Sequence, residues 1–108
     1  MTDWTAVAGE LAREFAGRAA EIDRDARFPV ENIDRMKAVG YLSSVVPDEL
    51  GGGGMDLATF AACQKIIAGA CASTALATNM HLFGLGAAAE GWRGGERAAE
   101  PILKMVAD

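Results

Sequence analysis

His81 is the side chain best suited to proton transfer, since it is the one histidine in the chain and an imidazole titrates near neutral pH. It lies at helical spacing from Thr74, Thr78 and Leu85. Acid–base catalysis also needs a positioned partner, and the sequence near His81 offers none. We therefore interpret His81 as packed or solvated and name no catalytic residue in the chain.

Cys63 and Cys71 are the two thiols, and they could in principle form a disulfide or do redox chemistry. Eight positions along a helix separate them by about 12 Å, which is too far for a disulfide. Apolar neighbours raise the pKa of a thiol and protect it from oxidation, so we interpret both as buried. The sequence has no CxxC pair or Cys/His spacing, and we expect no metal site.

Gly51 to Gly54 form a run that could ring an anion with backbone N–H groups. No Lys-Ser/Thr pair follows the run, no strand precedes it, and Asp56 would repel a phosphate, so we predict a flexible, structural connector. The adjacent carboxylates Asp48 and Glu49 are interpreted as solvated turn residues and not as an acid/base pair.

Composition indicates one helical domain. The 108 residues are 51% hydrophobic and 6% aromatic, and the abundant alanine favours helices over strands. A net charge of −5 without a Lys/Arg cluster argues against nucleic-acid binding. Polar residues interrupt the apolar stretch 58–89, so we expect a buried helix and no membrane span. No signal peptide is evident, and a cytoplasmic location is the expectation.

Hydrophobic periodicity predicts the first two helices. Apolar positions recur every three or four residues from Trp4 to Ile22, as in an amphipathic helix. Pro29 opens a second, shorter helix. Gly40 follows it in the left-handed conformation that ends a helix.

Three further helices are predicted towards the C-terminus. Asp56 caps a third helix that is apolar on nearly every side and therefore belongs in the middle of the bundle. Ser73 caps a fourth, in which Leu76, Met80 and Phe83 are expected to pack together. A last helical piece begins near Glu96 and restarts at Pro101. Its apolar stripe, which runs to the end of the chain, favours a truncated protein.

Three segments together resemble the N-terminal domain of acyl-CoA dehydrogenases: FPVENIDRMKAVGYL (28–42), VPDELGGGGMD (46–56) and ASTALATNMHL (72–82). The match in order and spacing covers nearly the whole chain. The segment 98–108 also resembles the part of the family that precedes its middle domain.

The resemblance implies an all-α, up-and-down helical bundle over residues 1–108. It also implies a longer enzyme with a middle β-domain and a C-terminal helical domain, neither of which is present here. Such an enzyme assembles as a homo-oligomer around FAD and passes electrons from an acyl-CoA substrate to an acceptor. Its catalytic carboxylate lies in the absent C-terminal domain, so we expect the 108-residue chain alone to be inactive and not to retain FAD.

In the family the fourth helix contributes a wall of the acyl-binding cleft. Ala75, Thr78, Asn79 and Leu82 share one face of this helix at the i, i+3, i+4, i+7 spacing, and we predict that this face binds the substrate. The small side chains of Ala75 and Thr78 favour a longer or bulkier acyl tail.

Two alternatives remain open. Flavin monooxygenases of the same architecture use histidines near the flavin, so His81 is a candidate cofactor-binding residue that separates them from the dehydrogenases. The second alternative is a non-catalytic helical module that binds a partner through exposed apolar faces.

Overall fold

Five α-helices account for most of the computed structural model, which describes residues 2–107. The predicted domain also included Met1 and Asp108, which lie outside the described residues. No strand occurs in residues 2–107, so the all-α prediction is confirmed. The helices are α1 (Trp4–Asp25), α2 (Val30–Ala38), α3 (Leu57–Ala70), α4 (Ala72–Arg93) and α5 (Glu100–Ala107), with 3₁₀ turns at Tyr41–Ser43 and Asp48–Leu50.

The core lies mainly between α1, α3 and α4. The helix α1 packs most extensively against α3, and α3 against α4. Asp3 begins α1 by accepting a hydrogen bond from the N–H of Ala6, and Gly40 has the predicted left-handed conformation after α2 (φ 80°). The largest fully buried apolar side chains come from six elements: Phe15, Ile22, Met36, Tyr41, Ile67, Leu82 and Leu103.

The start of α3 and its position between other helices were predicted correctly, but the extent of its burial was not. Asp56 Oδ1 accepts a 2.8 Å hydrogen bond from the N–H of Thr59, which is the predicted cap. However, α3 buries only one stripe, whereas Leu57 and Ile66 are exposed. The helix lies between α1 and α4, which contact each other far less than either contacts α3 within residues 2–107. Its remaining surface, which includes Leu57 and Ile66, is open to solvent.

The prediction for α4 is wrong at its start and in its buried face. Cys71 alone separates α3 from α4, and Ser73 does not cap the helix but donates to Asp23 Oδ1 at 3.2 Å. Leu76, Met80 and Phe83 are 78%, 81% and 61% exposed. The face directed at the core combines two leucines with small residues, which let α4 approach its neighbours closely: Thr74, Ala75, Thr78, Leu82, Leu85, Gly86 and Ala89.

We predicted that the last helix begins near Glu96, but it begins at Glu100. The N–H groups of Gly94, Gly95 and Glu96 donate to carbonyls of the last turns of α4, so this segment turns back on α4 and is not helical. Trp92 Nε1 then donates to Glu100 Oε1 at 3.0 Å. This bond ties the end of α4 to the first turn of α5.

Candidate functional site

A groove between α3 and α4 is open to solvent and is lined almost entirely by apolar surface. Its volume is about 480 Å³, and the space exists because the alanines that line it on both helices have short side chains. Because a single residue joins the two helices, the groove lies inside a tight helical hairpin. We call it the α3–α4 groove; it is lined by Gln64, Lys65, Ala68, Ala72, Ala75, Leu76 and Asn79.

The structure divides the four residues predicted to bind substrate. Ala75 and Asn79 line the α3–α4 groove. Thr78 and Leu82 are 3% and 0% exposed and lie in the core, so they are not available to a ligand. The predicted face is thus divided between two surroundings: positions i+3 and i+7 from Ala75 point to the core, while positions i+1 and i+4 border the groove.

The contribution of α3 to the groove was missed by the sequence analysis. Gln64, Lys65 and Ala68 form its second wall. The signal in the sequence was a series of small residues, Ala68, Ala72 and Ala75, that continues from one helix into the next. It could not be used without knowing that the chain reverses at Cys71.

Gln64 lines the groove and forms, with the buried Tyr41, a hydrogen-bonded pair that we call the polar floor. Tyr41 Oη donates a 2.8 Å hydrogen bond to Gln64 Oε1. Gln64 Nε2 in turn donates to the backbone carbonyl of Ala75 at 3.3 Å. Burial raises the pKa of Tyr41 well above its ordinary value of 10.0, so the phenol stays neutral and remains a hydrogen-bond donor.

A second polar network holds the first turn of α4. Arg18 Nε donates to Asn32 Oδ1 at 2.8 Å, and Asn32 Nδ2 donates to Thr74 Oγ1 at 2.8 Å. Thr74 Oγ1 then donates to Cys71 Sγ at 3.2 Å. The network joins α1, α2 and α4 and fixes the position from which the wall of the groove begins.

His81 does not line the α3–α4 groove. Its ring is exposed, and its Nε2 lies 2.9 Å from the carbonyl oxygen of Leu42, so that Nε2 carries the proton and donates. The contact joins α4 to the turn at Tyr41–Ser43. No second titratable side chain is hydrogen-bonded to His81 within residues 2–107.

The glycine loop is closely packed and is not the flexible connector that we predicted. The N–H groups of Gly52, Gly53 and Gly54 donate to the carbonyls of Pro47, Ser43 and Val46. These groups are therefore not free to ring a phosphate. A neighbouring cavity of about 480 Å³ is bordered by three carboxylates, which would also repel an anion: Asp3, Asp48 and Asp56.

Both cysteines are free and buried, as predicted, and burial raises the pKa of Cys63. Residues 2–107 contain no group of three or more metal-ligating side chains. None of the described helices combines the length and hydropathy required to cross a bilayer.

Comparison with known proteins identifies the family. Residues 4–91 match the model of the acyl-CoA dehydrogenase N-terminal domain. Over 64 residues the chain is 52% identical to cyclohex-1-ene-1-carbonyl-CoA dehydrogenase of Syntrophus aciditrophicus, covering 59% of this chain and 16% of that protein. Over 88 residues it is 36% identical to the putative acyl-CoA dehydrogenase YdbM of Bacillus subtilis, and the match covers 82% of this chain and 23% of YdbM.

Human mitochondrial short-chain specific acyl-CoA dehydrogenase is 36% identical over 70 residues, which is 60% of this chain and 17% of the human protein. The chain thus spans less than a quarter of the length of these three curated relatives. No solved structure matches it. The chain belongs to the acyl-CoA dehydrogenase family, and its residues 4–91 correspond to the N-terminal domain of that family.

Proposed function

We propose that this chain is the helical N-terminal domain of an FAD-dependent acyl-CoA dehydrogenase, an oligomeric enzyme that desaturates an acyl-CoA thioester between its α and β carbons. Bound FAD would accept the hydride released from the β carbon. The family match supports the activity. The short span relative to the curated proteins supports a longer enzyme whose remaining domains supply the catalytic base and most flavin contacts.

The α3–α4 groove carries the proposal about substrate. Its surface is almost entirely apolar, which suits a hydrocarbon tail and not a charged one. Ala75 and Asn79 form the wall on α4, and Ala68 contributes the space opposite them. The acyl tail would lie here, in a cleft completed by the other domains.

The exposed stripe of Leu76, Met80 and Phe83 supports this arrangement. Contiguous apolar surface is rarely left to water, and Leu76 belongs both to the stripe and to the wall of the groove. The protein that covers the stripe would therefore also close the groove. His81, whose exposed ring lies next to Met80 in sequence, remains our candidate for a flavin contact.

The substitution Ala75→Phe tests the substrate site in the complete enzyme. The added ring would fill the groove, and kcat/KM for acyl-CoAs with bulky tails is expected to fall by roughly tenfold or more relative to the shortest substrate. Ala77→Phe is the matched control, since Ala77 is exposed and does not line the groove. An unchanged preference in the Ala75 variant would refute the site.

Flavin bleaching tests the reaction itself. Acyl-CoA added without oxygen should bleach the flavin of a dehydrogenase, and an electron acceptor should restore its colour. A flavin monooxygenase is the second candidate, favoured only by the exposed His81. It would show no bleaching with acyl-CoA but would consume oxygen once its flavin was reduced by another donor.

A further inference from the structure

Gln64 connects three elements beneath the α3–α4 groove. It lies on α3, accepts a hydrogen bond from Tyr41 in the turn that follows α2, and donates one to the carbonyl of Ala75 on α4. It is also one of the residues that line the groove. A single buried side chain therefore touches the cavity and both of its walls.

A buried amide group must form hydrogen bonds, because leaving it without a partner destabilises the fold by more than a formed hydrogen bond stabilises it. The bonds of Gln64 require donor–acceptor distances near 3 Å and weaken steeply beyond that. They are satisfied at 2.8 Å and 3.3 Å at the present separation of the two helices. Gln64 thus favours one separation of α3 and α4.

The alanines of the groove cannot impose this separation. Ala68, Ala72 and Ala75 line the groove, and a methyl side chain forms no hydrogen bond, so these residues do not select one separation of α3 and α4 by a directional contact. Apolar packing alone tolerates helices that move closer or slide. The polar floor supplies the directional contact that the apolar walls lack.

We propose that Gln64 is a positioning residue that sets the width of the α3–α4 groove and thereby determines which acyl tails the enzyme accepts. The inference rests on the proposed function. Gln64 acts through the position of Ala75 and Asn79 and does not itself take part in the chemistry.

The test uses Gln64→Met in the complete enzyme, because methionine keeps the length and approximate volume of the side chain and removes both hydrogen bonds. Values of kcat/KM are measured for straight-chain, branched and cyclic acyl-CoAs. We expect the ratio of kcat/KM between the best and the poorest substrate to fall roughly tenfold, which is the discrimination that one methylene group in an apolar pocket provides. Ile67→Val on the same helix is the control, since Ile67 is buried in the core and does not line the groove.

Each outcome decides the matter. Lower discrimination in Gln64→Met, with the ratio retained in Ile67→Val, supports the inference. An unchanged ratio, or an equal change in the control, overturns it. Should Gln64→Met fail to fold, Tyr41→Phe decides, because it removes one of the two bonds and should produce a smaller change in the same direction. If the unsubstituted enzyme oxidises no acyl-CoA, the proposed function fails, and this inference with it.

Discussion

Gly53 shows how a single residue is determined by the space around it. The glycine loop passes close to Trp4, and the indole Nε1 of Trp4 donates a 3.3 Å hydrogen bond to the carbonyl of Gly53. A Cβ atom at Gly53 would overlap the Trp4 ring and would come within 2.9 Å of the Ser44 backbone. The position accepts no side chain, although its backbone is not in the left-handed region.

We expect Gly53→Ala to lower the free energy of unfolding by about 1–3 kcal/mol, the usual cost of overpacking a core. Gly17→Ala is the matched control. Gly17 lies within α1, where the added Cβ would meet nothing within 4 Å beyond the adjoining backbone of α1 and the two neighbouring residues, so the same change should stabilise the chain by about 0.5–1 kcal/mol. Urea denaturation of both variants measures the difference. Equal effects at the two sites would contradict the packing argument.

At the scale of helices, the sequence predicted the ends that side chains determine. Asp56 and Gly40 mark such ends by a hydrogen bond and by a left-handed backbone. The buried face of α4 could not be predicted, because small and apolar residues occur all around this helix and two faces compete. Large side chains suggested Leu76 and Met80 as the core face, whereas close packing selected the face with Ala75.

The cap at Asp56 makes the stability of α3 dependent on pH. The Thr59 N–H lowers the pKa of the Asp56 carboxyl below its ordinary value of 3.8. A lowered pKa in the folded state stabilises the fold above the ordinary value, and this contribution is lost as the pH falls through the folded pKa. We expect the advantage in Tm of the natural chain over Asp56→Asn to shrink as the pH falls through the ordinary value of 3.8 and below it.

The comparison with Asp56→Asn isolates this carboxyl, because asparagine also caps helices but does not titrate. Other carboxyls contribute equally to both proteins and cancel. Asp56→Ala serves as the control, since it removes the cap and should have a lower Tm than the asparagine variant at every pH. Parallel curves for the natural chain and Asp56→Asn would show that the charge does not matter.

For the whole molecule, the sequence predicted the bundle but only part of the candidate site. The family resemblance and the small side chain led us to predict Ala75 as a substrate-binding residue, and in the structure Ala75 lines the α3–α4 groove. Thr78 was predicted on the same face of the helix as Ala75, but its side chain lies in the core. Which member of a face reaches solvent depends on the packing of α3 against α4, and this packing is a property of the assembled hairpin.

The same assembly leaves the stripe of Leu76, Met80 and Phe83 uncovered in the 108-residue chain. We expect the isolated chain to self-associate, because burying this surface releases water from three large side chains. Sedimentation velocity should show an average mass that rises with concentration. The effect should strengthen as the pH approaches the pI of 4.8, where the net charge of −5 no longer keeps copies apart.

Replacing all three stripe residues with glutamine should give a monomer at every concentration, because the surface then loses its apolar character without a change in charge. Phe28 and Val30 are also exposed but do not belong to α4, and changing both to glutamine should leave the association intact. If this control also abolished association, any exposed apolar residue would suffice and the stripe would have no special role. If the natural chain sedimented as a monomer throughout, the stripe would not need a cover, and the proposed closure of the groove by further domains would lose its physical basis.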